Sequence, residues 1–151
     1  MKRIKLTGGK STMVDDGDFP WLSKFRWWTH SRGYATGWAN GKNVLMHRLI
    51  LSTPPGMESD HINGDRLDNR RDNLRICTLQ QNQFNSKVQK NNHSGVKGVY
   101  WWPRDRNWRV CFFQNGKQEN LGYYNDKVEA ISVYNKAIIS ARGAYAKPNY
   151  T

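Results

Sequence analysis

Apolar positions along this chain follow two different periods, and the change of period divides it. From Met1 to about Pro55 they come in short runs broken by Gly-Lys and Asn-Gly punctuation, as in "MKRIKLTGGKSTMVDD" and "FRWWTHSRGYATGWANGKNVLMHRLIL". Such runs predict short strands and turns, with "NVLMHRLIL" turning helical at its end. Ser59 to Ile62 reads as a short strand that stops at the turn formers Asn63 and Gly64, and Leu74 to Thr78 as a return strand after a polar loop. Thr78 followed by Gln81 makes a capping box, so a helix is expected from about Leu79 to Lys87.

Beyond the polar run "KVQKNNHSG", a hinge at 87–95, three aromatic-rich runs appear: "GVKGVYWW", "NWRVCFFQ" and "QENLGYY". Turns at Pro103 to Arg106 and at Asn115-Gly116 make them a three-stranded antiparallel meander. The period then becomes helical in "DKVEAISVYNKAIISARG", with Ala130, Tyr134, Ala137, Ile138 and Ala141 on one face. Asn125 or Asp126 can cap the start of this helix and Gly143 can end it. Alternation in the second strand separates Trp108, Val110 and Phe112 from Arg109, Cys111 and Phe113. The helix is expected to cover the first set, leaving the face with Arg109 open.

Charge narrows the function classes. The 151 residues carry 24 Lys and Arg against 12 Asp and Glu, a formal net charge of +12, which favours a polyanionic partner. Thirteen per cent of residues are aromatic, seven of them Trp, which argues against a disordered basic tail. No long apolar run or leader-like segment opens the sequence, so no membrane association is expected and an intracellular location is. Cys77 and Cys111 stand far apart, as reduced thiols would, and cannot form a four-Cys zinc site.

Within this basic chain, "ESDHINGDRLDNRRDNLRICTLQQNQFN" at 58–85 concentrates carboxylates, amides and an imidazole. A solvated, side-chain-capped connection would have much the same composition. The alternative is a hydrolytic site. Phosphodiester hydrolysis needs an activated water, neutralised phosphate charge and a stabilised leaving oxygen, which one base and one hard cation can supply. His61 suits the base, while the Asp60 carboxylate and the Asn82 amide suit a cation that prefers oxygen.

That stretch resembles the HNH endonuclease motif of the ββα-metal nucleases, particularly the phage and intron-associated homing type. The resemblance implies His61 as general base, Asp60 and Asn82 as holders of a divalent ion (Mg²⁺, with Mn²⁺ as an alternative), and Asn73 as the amide that ties the loop so that His61 is oriented. Asn69 competes with Asn73 for that last role. His47 in "MHRLIL" is read as packing behind the site. Residues 94–150 resemble an AP2 DNA-binding domain through the Gly-Val pair, "NWRV", "NLGYY" and the Ala-rich helix. This second resemblance implies double-stranded DNA contacts from Lys97, Tyr100, Trp102, Arg104, Arg109, Phe113, Gln118 and Asn120.

The expected fold class is therefore α+β: a ββα-metal (HNH) domain followed by a three-stranded antiparallel sheet plus helix. The expected division is 1–88 with the motif at 58–87, a linker at 89–95, and a DNA-binding domain at 96–151. The function implied is a metal-dependent, DNA-nicking endonuclease acting as a monomer, in the cytoplasm of a bacterial host if phage-encoded. Two rivals are a DNA-binding regulator that keeps an inactive HNH fold and an RNA-binding accessory protein.

Overall fold

The first eighty residues are built from short strands and helices. The structure, a computed structural model, describes residues 1–39, 41–86, 88 and 91–150. Strands β1 (Lys2–Lys5) and β2 (Ser11–Val14) form an antiparallel hairpin, followed by a single helical turn, α1 (Phe19–Leu22). Strands β3 (Trp27–Thr29), β4 (Ala35–Ala39) and β5 (Lys42–Leu45) make an antiparallel sheet, and α2 (Met46–Ile50) follows directly. Next come the paired strands β6 (Glu58–His61) and β7 (Leu74–Cys77), then α3 (Leu79–Phe84).

Alternation on β1 and β2 sends Ile4 and Val14 inward, where they join Leu6, Leu22, Trp27, Ala35, Met46, Ile50 and Leu74 in one apolar cluster. Trp27 is its largest buried member; its indole nitrogen donates to the Leu22 carbonyl at 2.8 Å. Gly37 on β4 permits this packing, because a Cβ there would sit 2.6 Å from the Trp27 ring.

The second cluster lies under another sheet. Strands β8 (Val99–Trp102), β9 (Asn107–Gln114) and β10 (Lys117–Tyr124) pair antiparallel in the order β10-β9-β8. Helix α4 (Lys127–Arg142) begins at Asp126, whose carboxylate accepts from the Val128 and Glu129 amides, and ends at Gly143 with φ of 52°. Its residues Ala130, Ile131, Tyr134 and Ile138 pack on Val99, Val110 and Phe112, with Trp108 half-buried at the margin. The Trp-Val-Phe side of β9 therefore faces the helix. Gly98, at φ of 69°, lets the backbone pass where any Cβ would overlap the Tyr134 ring.

By its contacts the chain divides into Met1–Gln83 and Phe84–Thr151. The polar run places the expected division later, at 89–95. Phe84 and Asn85 go with the second unit because Lys97 Nζ donates to the Phe84 carbonyl at 3.1 Å and Lys147 Nζ to that of Asn85 at 3.3 Å. The Arg142 guanidinium also lies 3.9 Å from the centre of the Phe84 ring. The helix expected over Leu79 to Lys87 ends at Phe84; Lys87 lies outside the described residues. No helix of the described residues is long and apolar enough to cross a membrane.

Candidate active site

The β6–β7 ladder sets the first two residues of the site. Its register pairs Asp60 with Arg75 and His61 with Leu74. Adjacent strand positions face opposite ways, so Asp60 and His61 diverge. Arg75 reaches across the ladder and donates from Nε and Nη2 to Asp60 Oδ2, at 3.1 and 2.8 Å. His61 shares its face with Leu74 and is only 3% exposed. There it packs edge-on against His47 of α2, with ring centres 4.8 Å apart, and both rings lie near Tyr34, at 5.1 Å from His47 and 5.9 Å from His61.

Burial governs the protonation of both imidazoles. It holds His47 down to about 3, helped by the charges of His61 and Arg48. It also lowers His61, against the opposing hydrogen bond from Asn69 and the nearby Asp60, Asp65 and Asp68. A neutral His61 at neutral pH is the form that can accept a proton.

The loop after β6 folds on its own amides. Asn73 Oδ1 accepts from the Asn63 amide at 3.0 Å while its Nδ2 donates to the Asp68 carbonyl at 2.8 Å. Asn63 Nδ2 donates to Asp68 Oδ2, which also forms an ion pair with Arg70 at 2.7 Å. Asn73 thus ties the two ends of the loop together. Asn69 is the residue that touches His61, with Oδ1 3.2 Å from its Nε2.

The first block grips this loop from outside. The Asp18 carboxylate takes a two-pronged ion pair from Arg71, which holds its pKa below the usual range, and Asp15 accepts from the Arg71 amide. Met13 bridges Asp68 in parallel, and the neighbouring Thr12 side chain reaches both Leu67 and Asn69. Thr12, Tyr34 and His47 are members of the site that sequence reasoning missed or set aside. Nothing local marks Thr12, since a β-branched residue on a strand needs no further explanation.

Asn82 rides on α3, a helix started by the capping box: Gln81 Oε1 accepts from the Thr78 amide and Thr78 Oγ1 from that of Gln81. Its own amide donates to the Thr78 carbonyl and its side chain is half-buried. Among the described residues no three His, Cys, Asp or Glu side chains gather as a metal cage. The Asp60 carboxylate and the Asn82 amide would suit a hard ion that completes its shell with water and phosphate oxygens, and would not suit zinc.

The second unit offers a separate surface. On the side of its sheet away from α4, Tyr100, Arg109 and Tyr123 stand in one row across the three strands. Arg109 lies 5.7 Å from the Trp102 ring centre, and its Nε is buried without a hydrogen-bond partner among the described residues. Phe113 pairs with Gln118 and Cys111 with Asn120, extending the same face. Arg104 sits exposed in the β8–β9 turn beside Asp105. Lys97 is placed elsewhere: half-buried ahead of β8, its ammonium donates to the Phe84 carbonyl, and burial pulls its pKa down to about 8. Tyr123 is an addition to the expected set. A register shift between Asn120 and Gly122 inverts the parity of β10, so Tyr123 joins Arg109.

Comparison with known proteins places the same stretch of sequence in a family. The family model for HNH endonucleases matches residues 52–84, which span β6, the loop, β7 and α3. An uncharacterized HNH endonuclease of Acanthamoeba polyphaga mimivirus is 30% identical over 149 residues, covering 93% of this chain and 76% of the viral protein. Protein 3.8 of Escherichia phage T7 is 40% identical over 68 residues, covering 45% of this chain and 56% of the phage protein. No solved structure matches the chain. With the mimivirus protein 30% identical along 93% of this chain, and the family model spanning the strand that carries Asp60 and His61, the chain belongs to the HNH endonuclease family.

Proposed function

We propose that the protein is a metal-dependent DNA endonuclease of the homing type, which nicks double-stranded DNA bound partly by the open face of its C-terminal sheet. The observation that carries this reading is His61: a buried imidazole, kept neutral by its surroundings and held at Nε2 by Asn69. A neutral base positioned by an amide is what water activation requires.

In this reading His61 takes a proton from a water molecule whose oxygen forms a bond to phosphorus. The phosphodiester P–O bond opposite breaks, and the leaving oxygen receives a proton from solvent. Asn73 keeps the loop closed under His61 through its bonds to Asn63 and Asp68. A divalent ion held by Asp60 and Asn82, with Mg²⁺ the best chemical fit and Mn²⁺ an alternative, would neutralise phosphate charge and stabilise the leaving oxygen. A monomer with one such site cuts one strand per binding event. Selectivity falls to Tyr100, Trp102, Arg109, Phe113, Gln118, Asn120 and Tyr123, an AP2-like arrangement in which strands lie in the major groove.

The test is incubation of supercoiled plasmid with purified protein and Mg²⁺ or Mn²⁺, beside His61→Ala. Open-circular product from wild type alone supports the proposal; intact plasmid in both, across varied target DNAs, rejects it.

One observation favours a non-catalytic DNA-binding role: Arg75 already occupies Asp60 Oδ2. A cation binding Asp60 must share the carboxylate with Arg75 or displace it. Plasmid binding that is tight and unaffected by Mn²⁺, with no cutting, would select this second reading.

A further inference from the structure

We propose that Thr12, in the first hairpin, is a positioning residue for His61: its hydroxyl fixes the orientation of the Asn69 amide, and that amide fixes which ring nitrogen of His61 carries the proton. The inference deepens the reading of His61 as the base and rests on it.

Hydrogen-bond direction supplies the logic. Thr12 Oγ1 lies 2.7 Å from the Leu67 carbonyl oxygen. A carbonyl can only accept, so the single hydroxyl proton points there. Thr12 Oγ1 is then an acceptor toward Asn69, at 2.7 Å, and the group facing it must be the Nδ2 amide. Turning the Asn69 side chain over would leave Thr12 with two acceptors and one proton. One of the two 2.7 Å contacts would set lone pair against lone pair.

With Nδ2 committed to Thr12, Asn69 Oδ1 faces His61 Nε2 at 3.2 Å. An amide oxygen cannot donate, so Nε2 carries the hydrogen. In the neutral ring the lone pair is then on Nδ1, and that nitrogen takes the proton from water. Water cannot stand in for any member of this relay: Thr12 and Asn69 are 0% exposed and His61 3%.

The backbone on either side of Thr12 fixes its reach. The Met13 amide donates to the same Leu67 carbonyl, and the Asn69 amide donates to the Met13 carbonyl, both at 2.8 Å. The hydroxyl is thereby held in register with a loop more than fifty residues away in sequence. Asn73 closes that loop, but the proton position on His61 is decided from β2.

The experiment reads the ring directly. Long-range proton–nitrogen correlation spectra of ¹⁵N-labelled full-length protein at neutral pH distinguish the two tautomers of His61. Wild type should show Nε2 protonated and Nδ1 with its lone pair. Thr12→Val, which keeps the shape and loses the hydroxyl, should show both tautomers and nick plasmid at least roughly tenfold more slowly in Mn²⁺, with DNA affinity unchanged. Thr12→Ser should restore the wild-type spectrum and rate. A wild-type ring protonated at Nδ1 would overturn the proposal, as would a folded Thr12→Val protein with the wild-type spectrum. If that variant fails to fold, the wild-type and Thr12→Ser spectra still decide. The spectra need neither DNA nor metal, so a protein that never cuts would sink the nuclease reading while the tautomer result stood by itself.

Discussion

Arg75 sits directly across the β6–β7 ladder from Asp60 and places two of its guanidinium nitrogens on the same carboxylate oxygen. The pair is largely shielded, with side-chain exposures of 16% for Arg75 and 8% for Asp60. Removing one partner of such a pair leaves the other charge less well compensated. Arg75→Ala is expected to lower stability by about 2 kcal/mol, less than a fully buried pair would lose. If Asp60 holds the ion, the variant should also bind Mn²⁺ more tightly and recover part of its lost melting temperature when Mn²⁺ is added. Calorimetric titration and melting curves with and without the ion check this; equal Mn²⁺ affinity in the two proteins would remove Asp60 from the metal site.

His61→Ala should leave DNA binding within about twofold of wild type and slow cleavage by roughly a hundredfold or more, the usual scale for a lost general base. Gel-shift affinity measured beside plasmid nicking separates the two effects. A parallel fall in both would make His61 a structural residue.

His47 predicts a pH signature in stability. Its pKa is about 6.5 unfolded and about 3 folded, so between those values the unfolded chain binds more protons. Stability is then complete above about pH 6.5 and falls as the pH drops through this window, by up to about 1.4 kcal/mol per pH unit. His61 is shifted in the same direction and adds to the slope, whereas Asp18 and Asp68, held below 3.8, contribute only at lower pH. Urea unfolding between pH 7 and about 4.5 should show the slope, and His47→Gln should reduce it. An unchanged slope in that variant would mean that His47 is protonated in the native protein.

Arg109→Ala should weaken duplex binding and lessen its salt dependence by about one unit of log slope if the contact is to phosphate, or relax base preference if it is to a base. Tyr123→Ala, from the same row, should weaken binding with the salt slope unchanged, since it removes stacking surface and no charge. Filter binding over a salt series distinguishes the cases, and wild-type behaviour in both variants would move the DNA to another face.

What could be read from the sequence was set by local periods. The capping box at Thr78, the N-cap at Asp126, the two short strands β6 and β7, and the division of β9 into a Trp108-Val110-Phe112 side and an Arg109 side each depend on residues a few positions apart. The parts that escaped depend on distance or on broken periods. Thr12 meets Asn69 across 57 positions, which no motif spacing expresses. Tyr123 is hidden by one extra residue in β10, and where α3 ends the carbonyls of Phe84 and Asn85 are met by lysines far downstream. The two asparagines that looked interchangeable divide the labour, Asn73 closing the loop and Asn69 meeting the ring.

The ownership of the N-terminal apolar cluster has a practical consequence. Among the described residues the cluster has nine buried members, of which only Leu74 lies within residues 52–84; the other eight come from residues 4 to 50. An excised fragment bearing the recognisable motif would carry every proposed catalytic group and almost none of the oil that shapes them. For engineers grafting this motif onto another protein, the transplant has to begin at the first hairpin.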